Sequence, residues 1–125
     1  MMGSKYHNRK TRVSNGQIAD SRKEARRYEE LLLLQRAGKI SNLRTQVPYE
    51  LIPAQYETYE RYGKNGNRLK DGIKLVERAV NYVADFVYIE NEKTIVEDTK
   101  GVRTPDYIIK RKLMLHIHGI RIQEI

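Results

Sequence analysis

The chain is expected to be an α/β domain, a mixed β-sheet flanked by helices in the order αβββαβ. Three features predict this. An apolar stripe at helical spacing crosses residues 22–37. A run that is apolar on both alternating faces fills 80–89. A Thr104-Pro105-Asp106 helix start opens a second helix ahead of a short closing strand.

Residues 1–20 are polar and basic, with Lys10 and Arg12 among the cations and no apolar period, and read as a loosely held arm. Residues 21–125 read as one domain. Ser21 is a favourable N-cap, and Glu24 three residues later completes a capping-box spacing. Ala25, Tyr28, Leu31, Leu32 and Gln35 share one helical side, and Gly38 supplies the stop after Ala37. Leu43 to Ile52 reads as extended, with Thr45, Val47, Tyr49 and Leu51 in alternation. Pro48 has no N–H for a ladder, which argues for an edge position or a bulge. YETYERY at 56–62 and IKLVERAV at 73–80 flank the turn-rich GKNGNRLKDG, predicting a hairpin insertion over about 53–79 with Lys64, Arg68 and Lys70 at its tip.

VNYVADFVYI at 80–89 is the strongest strand signal and predicts a strand covered on both sides. Asn91-Glu92 reads as a two-residue turn into KTIVEDTK at 93–100, which Gly101 ends. Thr104 as cap and Pro105 at the first helical position start a helix that runs to about His118 before Gly119. IRIQEI closes the chain as a short strand.

Composition narrows the function classes. The chain has 125 residues, 39% of them hydrophobic, and no cysteine, which suits a reducing compartment and excludes zinc-thiolate or thiol chemistry. The longest apolar run, Leu31–Leu34, is too short for a membrane span. MMGSKYHNRKTR has no apolar stretch behind its basic residues, so no secretion signal is expected there. The net charge of +8 attracts polyanions, of which nucleic acid is the commonest in a cytoplasm.

The hairpin register places chemistry. If Glu90 pairs with Lys93, Asp85 falls opposite Asp98, and Lys100 follows on the same face two residues further on. Opposed carboxylates in apolar surroundings are costly unless a cation joins them. Mg²⁺ suits such oxygen donors, with the Thr99 backbone carbonyl as a third, and Mn²⁺ is expected to substitute. Lys100 would stand near the attacking water or the phosphate. Glu97 points to the other face and is the second choice should the register slip by one. His116 and His118, two apart on a helix, cannot present both rings to one metal. Lys110, Arg111 and Lys112 form a basic helical segment suited to phosphate contact.

The strand of Asp85, its short turn and Asp98-Thr99-Lys100 resemble the PD-(D/E)xK motif of restriction-endonuclease-like nucleases, with Ala84 where the motif has Pro. Ser21-Arg22-Lys23-Glu24 also resembles that superfamily, in which Holliday-junction resolvases and transposon-end nucleases complete the metal site with a Glu on the first helix. Gln46 resembles a Gln of the transposon-end branch that lies near the catalytic strands. From KYHNRKT through SRKEARRYEELLLLQRAGKI and YVADFVYIENEKTIVEDTKG to KRKL, the chain resembles a family of small phage proteins (DUF1064-like).

The resemblance implies a restriction-endonuclease-like fold and a Mg²⁺-dependent endodeoxyribonuclease. Glu24, Asp85, Asp98 and Lys100 would be catalytic, and Glu24, Asp85 and Asp98 would hold the metal, with Glu24 a helix cap as its duller role. Duplex or branched, Holliday-junction-like DNA would be the substrate, contacted by Lys110, Arg111, Lys112, Lys10 and Arg12. A homodimer in the cytoplasm of a phage host is expected, with no membrane partner and no small-molecule cofactor. The alternatives are a DNA- or RNA-binding module of the same fold that does not cut, and a phage accessory protein.

Overall fold

The computed structural model describes residues 15–100 and 102–125, with side chains from residue 21 onward. In chain order the elements are α1 (Asn15–Arg36), β1 (Ser41–Ile52), β2 (Gln55–Tyr62), β3 (Arg68–Glu77), β4 (Val80–Glu90), β5 (Lys93–Asp98), α2 (Pro105–His118) and β6 (Gln123–Glu124). The main sheet is ordered β1-β4-β5-β6, and β2 and β3 form a separate two-stranded ribbon. Only the β5–β6 pairing in the main sheet is parallel, so it is a mixed sheet as expected.

α1 begins at Asn15, six residues before the expected cap at Ser21. Ser21 therefore lies inside the helix, and the capping box with Glu24 does not form. Gln17, Ile18 and Ala19 contain no breaker, and extending an established helix costs far less than nucleating one. The arm expected over 1–20 loses its last six residues to the helix; Lys10 and Arg12 lie outside the described residues. At the other end Gly38 adopts φ 78°, a left-handed cap that lets the Lys39 N–H donate to the Leu34 carbonyl.

The sheet is covered on both faces. On one, Leu31 of α1 packs with Ile40, Phe86 and Tyr88. On the other, Tyr107 and Met114 of α2 pack with Tyr82, Ala84, Val87 and Val96. Leu31 and Met114 are completely buried, each contributing about 1.5–3 kcal/mol. Pro48 sits on the outer strand β1 opposite Val83, where its missing N–H breaks no second ladder. Asn91 and Glu92 both take positive φ, 52° and 65°, the turn that suits the strand twist. The resulting β4–β5 register runs from Glu90↔Lys93 to Phe86↔Glu97, the predicted pairing.

The β2–β3 ribbon is exposed along nearly its whole length. The Tyr59 ring lies across Gly72 on the opposite strand, in space that a Cβ at that position would occupy. Among the described residues no helix is long and apolar enough to cross a membrane.

Candidate functional site

β5 ends at Asp98, short of the expected end at Lys100. The cause is local. The Thr99 N–H and hydroxyl both donate to Asp85 Oδ2, at 2.8 and 2.9 Å. A side-chain carboxylate thus takes the place of a ladder carbonyl, and the chain leaves the sheet. Lys100 is consequently not placed by strand alternation. Its Nζ nevertheless lies 3.9 Å from Asp98 Oδ1 and 5.2 Å from the centre of the Tyr107 ring.

On the other side of Asp85, the ladder of β1, itself a continuous strand, has a gap. Its ladder with β4 holds at Thr45↔Phe86 and Val47↔Ala84 but not at Gln46 and Asp85 between them. Gln46 takes φ 53°, a left-handed conformation that costs a non-glycine residue on the order of 1–3 kcal/mol. Its amide Nε2 donates to Glu24 Oε2 at 3.3 Å and to Asp85 Oδ1 at 3.4 Å. Strand alternation changes phase at this point. Tyr82 and Ala84 belong to the α2 layer, whereas Phe86 and Tyr88, an even number of residues on, belong to the α1 layer. Asp85 stands at the switch.

Asp98 is 1% exposed. The Tyr82 hydroxyl donates to its Oδ2 at 2.6 Å, while Oδ1 is buried with no hydrogen-bond partner. Burial pushes the Asp98 carboxyl above its ordinary range. The Tyr82 hydrogen bond acts in the opposite sense, and the charge of Asp85 adds to the rise. A buried oxygen that accepts no hydrogen bond, beside a second carboxylate, is a donor set that fits a hard divalent cation.

Glu97 is also fully buried, on the α1 side, but its oxygens are engaged. Arg27 forks onto it through Nε–Oε1 at 2.8 Å and Nη2–Oε2 at 2.6 Å, and the Tyr88 hydroxyl donates to Oε2. This fork ties α1 to β5 one turn after Glu24, and so sets where Glu24 stands.

The structure therefore brings Glu24, Gln46, Asp85 and Thr99 into one hydrogen-bonded chain, with Asp98 and Lys100 adjoining it. Among the described residues no three Asp, Glu or His side chains stand within common reach of one cation. Gln46 lies between Glu24 and Asp85. The basic run on α2 is divided. Lys110 borders a cavity of about 220 Å³ with Tyr82, Lys100 and Tyr107, whereas Arg111 and Lys112 border another of about 370 Å³ with Arg121. Arg111 is partly committed, its Nη1 lying 3.2 Å from Glu124 Oε2. His118 Nε2 contacts the Glu50 carbonyl at 2.7 Å.

Sequence reasoning missed Tyr82, Arg27 and Glu124 as neighbours of the site. Strict alternation from Asp85 puts Tyr82 on the opposite face, and only the phase change at Asp85 brings its layer to Asp98. Arg27 had a weak signal, lying one helical turn after Glu24 in register with a buried acid. Glu124 reaches the site through β6, whose parallel register sets it beside Asp98.

No curated protein and no solved structure matches the chain. A family model described as "Protein of unknown function (DUF1064)" matches residues 3–123. That match spans both helices, β1 to β5 and the site residues from Glu24 to Lys100, and the protein belongs to the DUF1064 family.

Proposed function

We propose that the protein is a divalent-cation-dependent endodeoxyribonuclease of the restriction-endonuclease-like type. The observation that carries this reading is the buried Asp98 carboxylate, with one oxygen that accepts no hydrogen bond, between Asp85 and Lys100 at the end of a sheet in a chain of net charge +8.

Asp85, Asp98 and the Thr99 carbonyl would hold Mg²⁺ or Mn²⁺, with Glu24 joining through water or after a shift of Gln46. When bound, the cation supplies Lewis acidity at the scissile phosphate and acidifies water. The chain's own residues do the rest. Thr99 fixes Asp85 through two hydrogen bonds, and Gln46 holds Glu24 and Asp85 on either side of one amide. Lys100 is 41% exposed in its side chain, so its ammonium can reach a phosphate oxygen while remaining near Asp98. Lys110 and Lys112 offer phosphate contacts on the two sides of α2. Duplex or branched DNA is the proposed substrate, the host cytoplasm the proposed location, and a homodimer the proposed form if both strands are cut.

The test is incubation of the purified protein with supercoiled plasmid, linear duplex and four-way junction DNA in Mg²⁺, Mn²⁺ and chelator. Metal-dependent cleavage that Asp85→Asn and Asp98→Asn abolish is expected. DNA binding without cleavage on any substrate would replace the nuclease with a binding module of the same fold.

A further inference from the structure

The Asp98 carboxylate is held from one side only. Tyr82 donates to Oδ2 at 2.6 Å, and Oδ1 has no donor. Lys100 Nζ, at 3.9 Å, is beyond hydrogen-bond distance of Oδ1. A buried carboxylate oxygen without a hydrogen bond is costly, and a fold that keeps one must hold the group firmly against rotation toward other donors.

Tyr82 is built to do this. It is 3% exposed, and its ring packs in the α2 layer against Tyr107 at 6.4 Å between centroids. The hydroxyl cannot swing to follow the carboxylate. The two oxygens of a carboxylate are chemically interchangeable. What a fixed donor on one of them determines is the plane of the group and the direction in which the other oxygen points.

We propose that Tyr82 is a positioning residue: its hydroxyl fixes the plane of the Asp98 carboxylate and turns Oδ1 toward Lys100 and a divalent cation. The inference rests on the cation-dependent reading above, and goes beyond it in assigning to a tyrosine outside the Asp98-Thr99-Lys100 triplet the preorganisation of its carboxylate. Hydrogen-bond partners that orient metal ligands commonly contribute on the order of 10–100-fold to metal affinity.

The experiment is a thermal-melt titration with Mg²⁺ and with Mn²⁺, without DNA, on wild type, Tyr82→Phe and Tyr107→Phe. Tyr107 is the control, because its hydroxyl donates to Glu124 Oε2 at 2.7 Å and not to Asp98. Tyr82→Phe should need roughly 10–100-fold more metal for the half-maximal shift, whereas Tyr107→Phe should keep the wild-type midpoint. In cleavage, excess metal should restore the rate of Tyr82→Phe but not that of Lys100→Ala. An unchanged metal midpoint in Tyr82→Phe, beside a clear wild-type response, overturns the role of Tyr82 alone. Absence of any metal response in wild type overturns the cation reading and this inference with it. If Tyr82→Phe does not fold, the wild-type protein decides. Metal should then produce a tyrosine ultraviolet difference spectrum that Asp98→Asn lacks, and failure to see it counts against the proposal.

Discussion

Replacing Arg27 by Met should be among the most damaging single changes in the described structure. It strands the Glu97 carboxylate, which has no exposed surface, and removes both arms of the guanidinium fork. Hydrogen bonds to charged groups contribute about 1.5–3 kcal/mol each, and breaking a buried pair from one side costs roughly 3–5 kcal/mol. The Tyr88 hydroxyl still donates to Oε2 and offsets part of that loss. A net cost of about 3 kcal/mol follows, or a fall in Tm on the order of 10 °C for a domain of this size. The reverse change, Glu97→Met, should cost less, because the Arg27 side chain is 23% exposed and can turn its charge into water. The double variant should recover much of the loss, since an apolar pair of similar volume replaces a desolvated ionic one. Urea denaturation of the four proteins in chelator measures the cycle. A cost below about 1 kcal/mol for Arg27→Met, the range of an exposed pair, or a larger cost for Glu97→Met, would refute the claim that the fork is desolvated and anchors α1 to β5.

Lys100→Ala should bind DNA in Ca²⁺ about as well as wild type, yet cleave on the order of 10²–10³ more slowly in Mg²⁺. Gel-shift and cleavage assays run in parallel check this, and equal cleavage removes Lys100 from the mechanism. Replacing Lys110, Arg111 and Lys112 by Ala should flatten the dependence of log K on log salt by about 1.8 rather than 2.7, because Arg111 is already committed to Glu124. An unchanged slope, measured by fluorescence anisotropy, would mean that α2 does not touch the phosphates. Thr104→Ala should cost about 1 kcal/mol by removing the acceptor for the Tyr107 N–H. No change in denaturation midpoint would show that the cap is dispensable.

Local chemistry was legible in the sequence wherever a residue's own conformational demand decides the outcome. Thr104, Pro105 and Gly119 bound α2, Gly38 stops α1, Pro48 marks an outer strand, and the turn at Asn91-Glu92 sets the β4–β5 register. That register carries Asp85 and Asp98 to the same end of the β4–β5 pair. The start of α1 was not legible, because Ser21 makes a good cap only if the helix has not already formed before it, and no local signal excludes that. Nor was the end of β5, which is decided by an Asp85 side chain fourteen residues away in sequence. The same residue shifts the phase of β4, and strand alternation read from the sequence assumes an unbroken ladder. Tertiary structure alone settles which partner each buried acid receives. Glu97 meets an arginine from α1 and Asp98 a tyrosine from β4, so adjacent carboxylates of one strand become an anchored ion pair and a half-satisfied acceptor. The physical reason is that a sequence fixes charge and period, whereas pairing in a low-dielectric interior depends on which layers the sheet faces.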